Sequence, residues 1–535
     1  MIHISTSFAL LVVAIIILVC IAGSRLSGRL GVPTLFIFIM LGMLFGSDGI
    51  FKIPFGNFAL AEQVCSVALI FIMFYGGFGT RWSEAKPVAG RSILLSSVGV
   101  VLTALLTGLF CHLVLKMALM EGMLLGAVLG STDAASVFSI LRSRKLNLKY
   151  GTASMLELES GSNDPFAYMM TVILLSAMTG SVSGGSAVLL LIRQLAFGLL
   201  TGATVAWLVT WLLKRYAFYG EGFDTIFVFA AAIISYALAS QIGGNGYLSV
   251  YLTGIILGNQ ELKNQKALVG FFDAFTGMMQ MLLFFLLGLL AFPSQMPSIV
   301  LPAIAIALFL TFVARPAAVG LLLAPSKPPI GQYLVISWAG LRGAASIVFA
   351  IMATLSEGYM KYDIFHIVFC VVLFSIIFQG SLLPKVAEKC DMIDNSTDVM
   401  RTFSDYTGDM QIQFVQLPIG DNHPWKNRKI CEIEMLPGML ITVIRRGAQT
   451  IVPKGQTVIQ EGDTVVLGAE GFTDSQGILL KEILMTPDHR WCGKKIAEAR
   501  FYKNTIIVMI SGAARSSFQT AVRRYWKATG WLYTR

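Results

Sequence analysis

Up to about residue 390 the chain is a near-continuous series of apolar runs, about thirteen in number, sized for the ~20 residues a helix needs to cross a bilayer. Their approximate limits are 6–23, 32–47, 57–79, 91–115, 120–141, 153–179, 186–213, 223–242, 244–259, 268–292, 297–322, 330–355 and 362–384. Such a series excludes most soluble folds and points to an all-α polytopic membrane protein. Composition agrees: 56% of the 535 residues are hydrophobic and only 13% are charged, against about a quarter charged in a soluble protein. The deficit is spread along the chain, so this is not a soluble domain with one anchor. The first run, Phe8 to Ala22, lacks a basic segment before it and is followed at once by Arg25 and Arg29. It reads as a retained first helix, not a cleaved signal.

The net charge of +10 has an ordered distribution. Basic residues collect in alternate loops: Arg25 and Arg29; Arg81, Lys86 and Arg91; Arg142, Arg144, Lys145 and Lys149; Lys214 and Arg215; Lys263 and Lys266; Lys327. The intervening loops hold little besides Lys52, Lys116 and Lys361. Basic loops stay cytoplasmic, so the N-terminus is expected outside and everything beyond residue 390 inside. The charge therefore marks membrane topology and not a nucleic-acid partner. The seven cysteines include no CxxC pair, and the sequence has no HExxH, GxGxxG or P-loop. No zinc site, disulfide framework, nucleotide or other cofactor is expected.

The composition changes near residue 400. The expected organisation is a transmembrane domain over 1–390, a linker over 391–404, a small cytoplasmic α/β domain over 405–485, and an incomplete second unit over 486–535. Gln411 to Leu417, Ile441 to Arg446, Thr450 to Pro453 and Asp463 to Gly468 read as strands with Gly and Pro at their turns. The segment from His423 to Ile430 is repeated from His489 to Ile496, and Ile441 to Ile444 is matched by Ile507 to Ile510. The second copy then runs into a basic end with Arg523, Arg524 and Lys527, and its final strands are expected to be missing.

Charged groups deep in a membrane span cost at least ~2.5–3.5 kcal/mol each, so those that persist are functional by default. Four fall mid-span: Asp133, Glu159, Asp164 and Arg342, with Glu157 close to a helix end. Asp133 lies in Gly130-Ser-Thr-Asp133-Ala-Ala-Ser136, and Arg342 in Ser337-Trp-Ala-Gly-Leu-Arg342-Gly-Ala-Ala-Ser346. Small and hydroxyl residues there can satisfy a locally opened backbone. These are the fifth and twelfth runs, and pairing the first six runs with the eighth to thirteenth makes them partners. Interrupted segments at matching places in two halves mark a transporter binding site. Between them lies Glu157-Leu-Glu159-Ser160-Gly-Ser-Asn163-Asp164-Pro165. Ser160 and Asp164, four apart, share a helix face, and Pro165 frees a carbonyl one turn earlier. Carboxylate, hydroxyl and loose carbonyl are the hard oxygen ligands a small cation prefers. The alternative for Asp164 is a structural carboxylate paired with Arg342. Asp133 either orients Asn163 or caps a broken helix, and Glu159 either touches the ion or pairs with Arg342. Arg342 is read as holding the site together.

Gly130-Ser-Thr-Asp133, Glu159-Ser160-Gly-Ser-Asn163-Asp164-Pro165 and Gly340-Leu-Arg342-Gly-Ala resemble the signature of bacterial sodium/proton exchangers of the NhaP type, within the cation:proton antiporter superfamily. The resemblance covers nearly all of residues 1–390, and residues 405–470 resemble the C-terminal half of RCK-type regulatory domains. The combination is similar to the potassium/proton antiporter branch. The resemblance implies inverted repeats with two crossing discontinuous helices, a homodimer in a bacterial inner membrane, and regulation of the tail by an unidentified small ligand. It implies that Thr132, Ser160 and Asp164 contact K+ or Na+, that Asp133 orients Asn163, and that Glu159 lies beside Arg342. Asn163 in place of a second aspartate implies electroneutral exchange.

The mechanism expected is competition of proton and cation for the Asp164 carboxylate, exposed alternately to each side. A regulated potassium channel would suit the tail, yet no TVGYG-like filter is present. An intramembrane enzyme would need a paired Ser and His, which the expected helices do not bring together. A membrane sensor that binds the ion without moving it is a further alternative, separable only by flux.

Overall fold

The apolar runs fold into helices, and each expected span coincides with one helix or with a broken pair. In the computed structural model these are α1 (Thr6–Leu30), α2 (Thr34–Phe45), α3 (Phe58–Gly79), α4 (Ala89–Leu113), α5 (Leu119–Val128), α6 (Thr152–Met178) and α7 (Gly184–Arg215). They continue as α8 (Phe223–Gln241), α9 (Gly246–Gly258), α10 (Gln265–Leu290), α11 (Pro293–Ser326), α12 (Ile330–Trp338), α13 (Ala344–Thr354) and α14 (Ile364–Lys389). The structure describes residues 6–30, 33–133, 136–137, 140–141, 146–180, 184–215, 222–260, 262, 265–356, 360–394, 412–421, 423–433, 435, 439–447, 449–470, 479–484, 505–511 and 529–534. It divides into two units, Met1–Gly408 and Asp409–Arg535.

Among the described residues, seven helices are by themselves long and apolar enough to span a membrane: α3, α4, α7, α8, α10, α11 and α14. The helices outside that group are informative. Both α5 and the α12/α13 pair are too short because each is interrupted mid-membrane, and α6 is long but carries Glu157, Glu159 and Asp164. These interrupted or charged elements, α5, α6 and α12/α13, build the centre of the site described below.

Close packing in the first unit depends on missing side chains. A Cβ on Gly258 of α9 would fall 2.0 Å from the Phe78 carbonyl oxygen of α3, and one on Gly254 would fall 2.3 Å from that of Phe74. Gly77, read as a packing glycine, is tight in the same way against Tyr251, whereas its neighbour Gly76 faces open space. Gly244 lies against the Gly198 amide of α7, and Gly243 adopts a φ of 76° that few other residues tolerate. Three π-helical turns, Leu95–Gly99, Leu310–Ala314 and Ser375–Gly380, interrupt α4, α11 and α14. Such turns concentrate at functional sites, and the last two adjoin residues of the site.

In the second unit an antiparallel sheet has the order β1–β4–β2–β3, from β1 (Ile412–Pro418), β2 (Met439–Arg446), β3 (Gln449–Ile451) and β4 (Asp463–Glu470). Ile419, Ile441, Ile444, Ile459 and Val465 form its core. Buried Asp463 accepts two 2.8 Å bonds from Arg446, whose guanidinium holds the carboxyl below its ordinary range. A second sheet, β5–β7–β6, joins β5 (Leu479–Leu484), β6 (Thr505–Ser511) and β7 (Thr529–Thr534). The repeat extends to irregularities: the β2/β4 register shifts between Ile441 and Val443, and the β6/β7 register between Ile507 and Met509. The expectation of no final strand in the second copy is corrected by β7. Its Trp531, Leu532 and Tyr533 are β-forming residues placed beyond the basic stretch, and a reading that stopped at the basic residues missed them. The basic residues themselves, and the copy from His489 to Ile496, lie outside the described residues.

Candidate ion-binding site

Helix α5 stops at Val128 and the chain turns at Leu129 and Gly130 and runs without regular structure to Asp133, while α12 stops at Trp338 and the chain opens again before α13 begins at Ala344. An opened backbone in a membrane must find new partners for its N–H and C=O groups. The two openings find them in each other and in α6. The Asp133 amide donates to the Leu341 carbonyl at 2.8 Å. The Ser131 carbonyl accepts from Arg342 Nη1 at 3.0 Å and from Ser346 Oγ at 3.5 Å. The Thr132 carbonyl accepts from Ser160 Oγ at 2.7 Å, and the Thr132 amide donates to Asn163 Oδ1 at 3.2 Å. On the other opening, the Arg342 amide donates to Ser375 Oγ at 3.0 Å, whose hydroxyl donates to Gln379 Oε1 at 2.6 Å. The crossing requires glycine at Gly343, because a Cβ there would fall 2.3 Å from that of Asp133.

Asp164 projects from α6 into this crossing and accepts a hydrogen bond from Ser131 Oγ. It is half-buried, whereas Ser131, Thr132, Ser160, Asn163 and Arg342 around it are buried. Among the described residues no salt bridge reaches Asp164, and Arg342 directs its guanidinium to the Ser131 carbonyl. Asn163 uses both ends of its amide on Thr132, with Nδ2 donating to Oγ1 at 2.5 Å. The Asp133 carboxylate accepts from the Ser136 amide at 3.2 Å and hydroxyl at 2.5 Å, which caps the second half of the broken fifth span. α6 continues through Pro165, whose own carbonyl accepts from Asn245 Nδ2 at 2.9 Å.

The sequence-selected residues Thr132, Asp133, Ser160, Asn163, Asp164 and Arg342 thus fall in one hydrogen-bonded cluster. Glu159 is near enough to Arg342 to act on it electrostatically, but Arg342 is not its ion-pair partner. Its ion pair is with Arg315 of α11, Nη1 to Oε1 at 2.6 Å, with the two side chains 6% and 1% exposed. Arg315 follows the π-helical turn of α11 directly, and Arg342 is already committed to the opened backbone. Arg315 had a legible signal, a charge inside the apolar run 297–322, and Ser131 had one in its place beside Thr132. Ser375 and Gln379 had none, since uncharged polar residues are common in such helices.

A helical membrane unit whose two broken helices cross beside a carboxylate has the architecture of a secondary transporter. Residues 14–389 match the family "Sodium/hydrogen exchanger, transmembrane", and residues 414–470 match the TrkA-C domain. The chain belongs to the sodium/hydrogen exchanger family. It is 36% identical over 382 residues to the K(+)/H(+) antiporter NhaP of Alkalimonas amylolytica, covering 71% of this chain and 66% of that protein. It is 33% identical over 470 residues to the K(+)/H(+) antiporter NhaP2 of Shewanella sp. MR-4, covering 86% of this chain and 81% of that one. Its fold is similar to that of the sodium proton antiporter MjNhaP1 of Methanocaldococcus jannaschii at pH 8, with a TM-score of 0.62 at 23% identity, covering 71% of this chain and 99% of that one.

Proposed function

We propose that the chain is a secondary antiporter that exchanges protons for potassium across a bacterial inner membrane, one for one, with Asp164 carrying either ion in turn. The observation that carries this reading is the placement of Asp164: a half-buried carboxylate without a salt bridge among the described residues, at the crossing of two opened backbones. A carboxylate so placed has no fixed counter-charge, so a proton or a cation can neutralise it. Ser131, Thr132 and Ser160 supply neutral oxygens around it. Thr132, Ser160 and Asp164 are the proposed cation contacts, while Asp133, Asn163, Glu159 and Arg342 hold the frame. One-for-one exchange is supported by Asn163, an amide that cannot take up a proton and is engaged at both ends by Thr132.

Potassium as the cation is supported by the curated relatives and by the TrkA-C domain. The basic loops support an outside N-terminus and a cytoplasmic tail, and we assign the protein a homodimeric state and a small regulatory ligand on the tail. The test uses everted vesicles from a host without its own antiporters. The lumen is acidified by respiration, and lumenal pH is followed after K+ or Na+ is added. Proton release on K+ addition, abolished in Asp164→Asn, is the expected result. Release with Na+ alone would refute the choice of potassium. Release that survives in Asp164→Asn would refute Asp164 as carrier.

A further inference from the structure

Residues 391–394, expected to begin a linker, are packed against the transmembrane unit. α14 ends in a turn where the Met392 amide donates to the Ala387 carbonyl at 2.9 Å, with Asp391 at a φ of 51°. The chain then runs antiparallel to 147–149, the residues that lead into α6. The Lys149 amide donates to the Met392 carbonyl and the Asp394 amide to the Asn147 carbonyl, each at 2.9 Å, so that Leu148 pairs with Ile393. At the surface Lys149 Nζ meets Asp391 Oδ1 at 2.9 Å.

This strap grips two elements of the ion site where they begin. It meets α6 through 147–149, and Tyr150 and Gly151, at φ of 62° and 64°, form the tight turn from there into the helix of Asp164. It meets α12 at Gly331, where a Cβ would fall 2.4 Å from the Cys390 carbonyl oxygen. The next residue of α12, buried Gln332, donates to Thr152 Oγ1 at the start of α6 at 3.2 Å. Met392 is buried in the apolar cluster that also holds Leu156 of α6, Val335 of α12 and Leu341 of the opened segment. The hold is uneven along the strap. Burial fixes Met392, but beyond it the described residues show one backbone bond, from Asp394 to Asn147. The Lys149–Asp391 pair adds little, because Asp391 is 94% exposed. A two-residue bridge outside any sheet belongs to the parts of a fold that open locally at low cost.

We propose that residues 391–394 form a latch worked from the tail. Closed, as seen here, it holds the beginnings of α6 and α12 in one arrangement. Drawn open at Ile393 and Asp394, with Met392 as the pivot, it frees them for the movement that exchange requires. The chain continues from Asp394 to β1, so a change in the tail reaches the site helices at this point. The latch rests on antiport at Asp164 and on regulation by the tail.

The test reads K+-dependent exchange in vesicles, per amount of folded full-length protein. Leu148→Cys with Ile393→Cys places a disulfide across the bridge, since facing antiparallel residues lie about 4.5–5.5 Å apart at Cα, within disulfide range. Oxidation, verified by peptide mapping, is expected to slow exchange at least ~10-fold, as when a gating movement is blocked. Reductant should restore the rate, and oxidant should not affect either single variant. A cross-linked pair with the wild-type rate, or a pair that does not cross-link, would overturn the latch. Asp394→Pro removes the amide bonded to Asn147, and Asp394→Ala keeps it. One backbone bond is worth about fivefold in the balance of closed and open, so the proline variant should exchange about twofold to fivefold faster than the alanine variant. An equal or slower rate would overturn the restraint. Arg446→Met, which loosens the tail sheet, should change the rate of the otherwise wild-type chain and leave that of Asp394→Pro unaltered. No change in the first, or the same change in both, would overturn the tail as what works the latch. Failure of the wild type itself to exchange K+ would instead refute the antiport reading, independently of the strap.

Discussion

The Glu159–Arg315 pair offers a test whose size follows from its geometry. The two side chains meet through a single 2.6 Å charge contact while almost completely buried, and neither Glu159 carboxylate oxygen nor Arg315 Nε has a hydrogen-bond partner among the described residues. The main compensation for burying two charges is therefore their mutual attraction, with Arg342 near enough to add to the attraction on Glu159. Replacing Arg315 with Met removes that attraction and leaves the carboxylate behind. Breaking a buried pair on one side costs about 3–5 kcal/mol, while replacing both members with apolar groups of similar volume is neutral or stabilising by about 1–4 kcal/mol. We expect Arg315→Met and Glu159→Leu each to lower the stability of the purified protein by ~3 kcal/mol or more, as measured by chemical denaturation in mild detergent. The double variant should return to wild-type stability or exceed it, giving a coupling of several kcal/mol in the cycle. A double variant as unstable as the sum of the singles would refute the ion pair as the source of the effect. A loss below ~1 kcal/mol in Arg315→Met would show that water or another group already neutralises Glu159. Transport by the stable double variant would separate scaffolding from chemistry.

Gly343→Ala should reduce exchange at least ~10-fold without changing which cation is used, because its Cβ would fall 2.3 Å from that of Asp133 and push the two openings apart. The rate in vesicles checks this, and a wild-type rate would mean that the crossing can relax. In the tail, Arg446→Met should lower the stability of the β1–β4 sheet by ~2 kcal/mol, since it removes charge-assisted bonds to a buried carboxylate. Limited proteolysis of the full chain would detect this as faster cleavage within 412–470. Because the Asp463 carboxyl lies below its reference value of 3.8 in the folded state, its contribution is fully present above that value. It is lost as pH falls through the lower folded value, so the variant and the wild type should converge in acid.

Much of this protein is legible in its sequence because the bilayer is a demanding solvent. Hydrocarbon forces apolar runs into helices, and the cost of a buried charge makes every mid-span charge conspicuous. Asp133, Glu159, Asp164 and Arg342 were found on that ground alone, and the symmetric placement of Asp133 and Arg342 pointed to two interrupted helices. The ion pair of Glu159 shows the limit of the method, because Arg315, inside the apolar run 297–322, was not among the charges selected. Two arginines, Arg315 and Arg342, lie in neighbouring apolar runs, and sequence spacing cannot say which of them faces α6. The second tail unit shows another limit: composition over 512–528 suggested an end without strands, while pairing with β5 and β6 places Thr529–Thr534 in a sheet.

The sequence by itself determined the number and nature of the membrane spans, the breaks in two of them, and the short set of residues that could carry charge there. Hydropathy and propensity are local, so a linear reading captures them. Only the tertiary structure decided that the Ser131 hydroxyl meets Asp164, that Arg315 neutralises Glu159 while Arg342 holds the opened backbone, and that the Tyr251 ring packs on α6 at Gly161. Those choices depend on how helices distant in sequence rotate and approach one another, and packing sets that only once the whole bundle has closed.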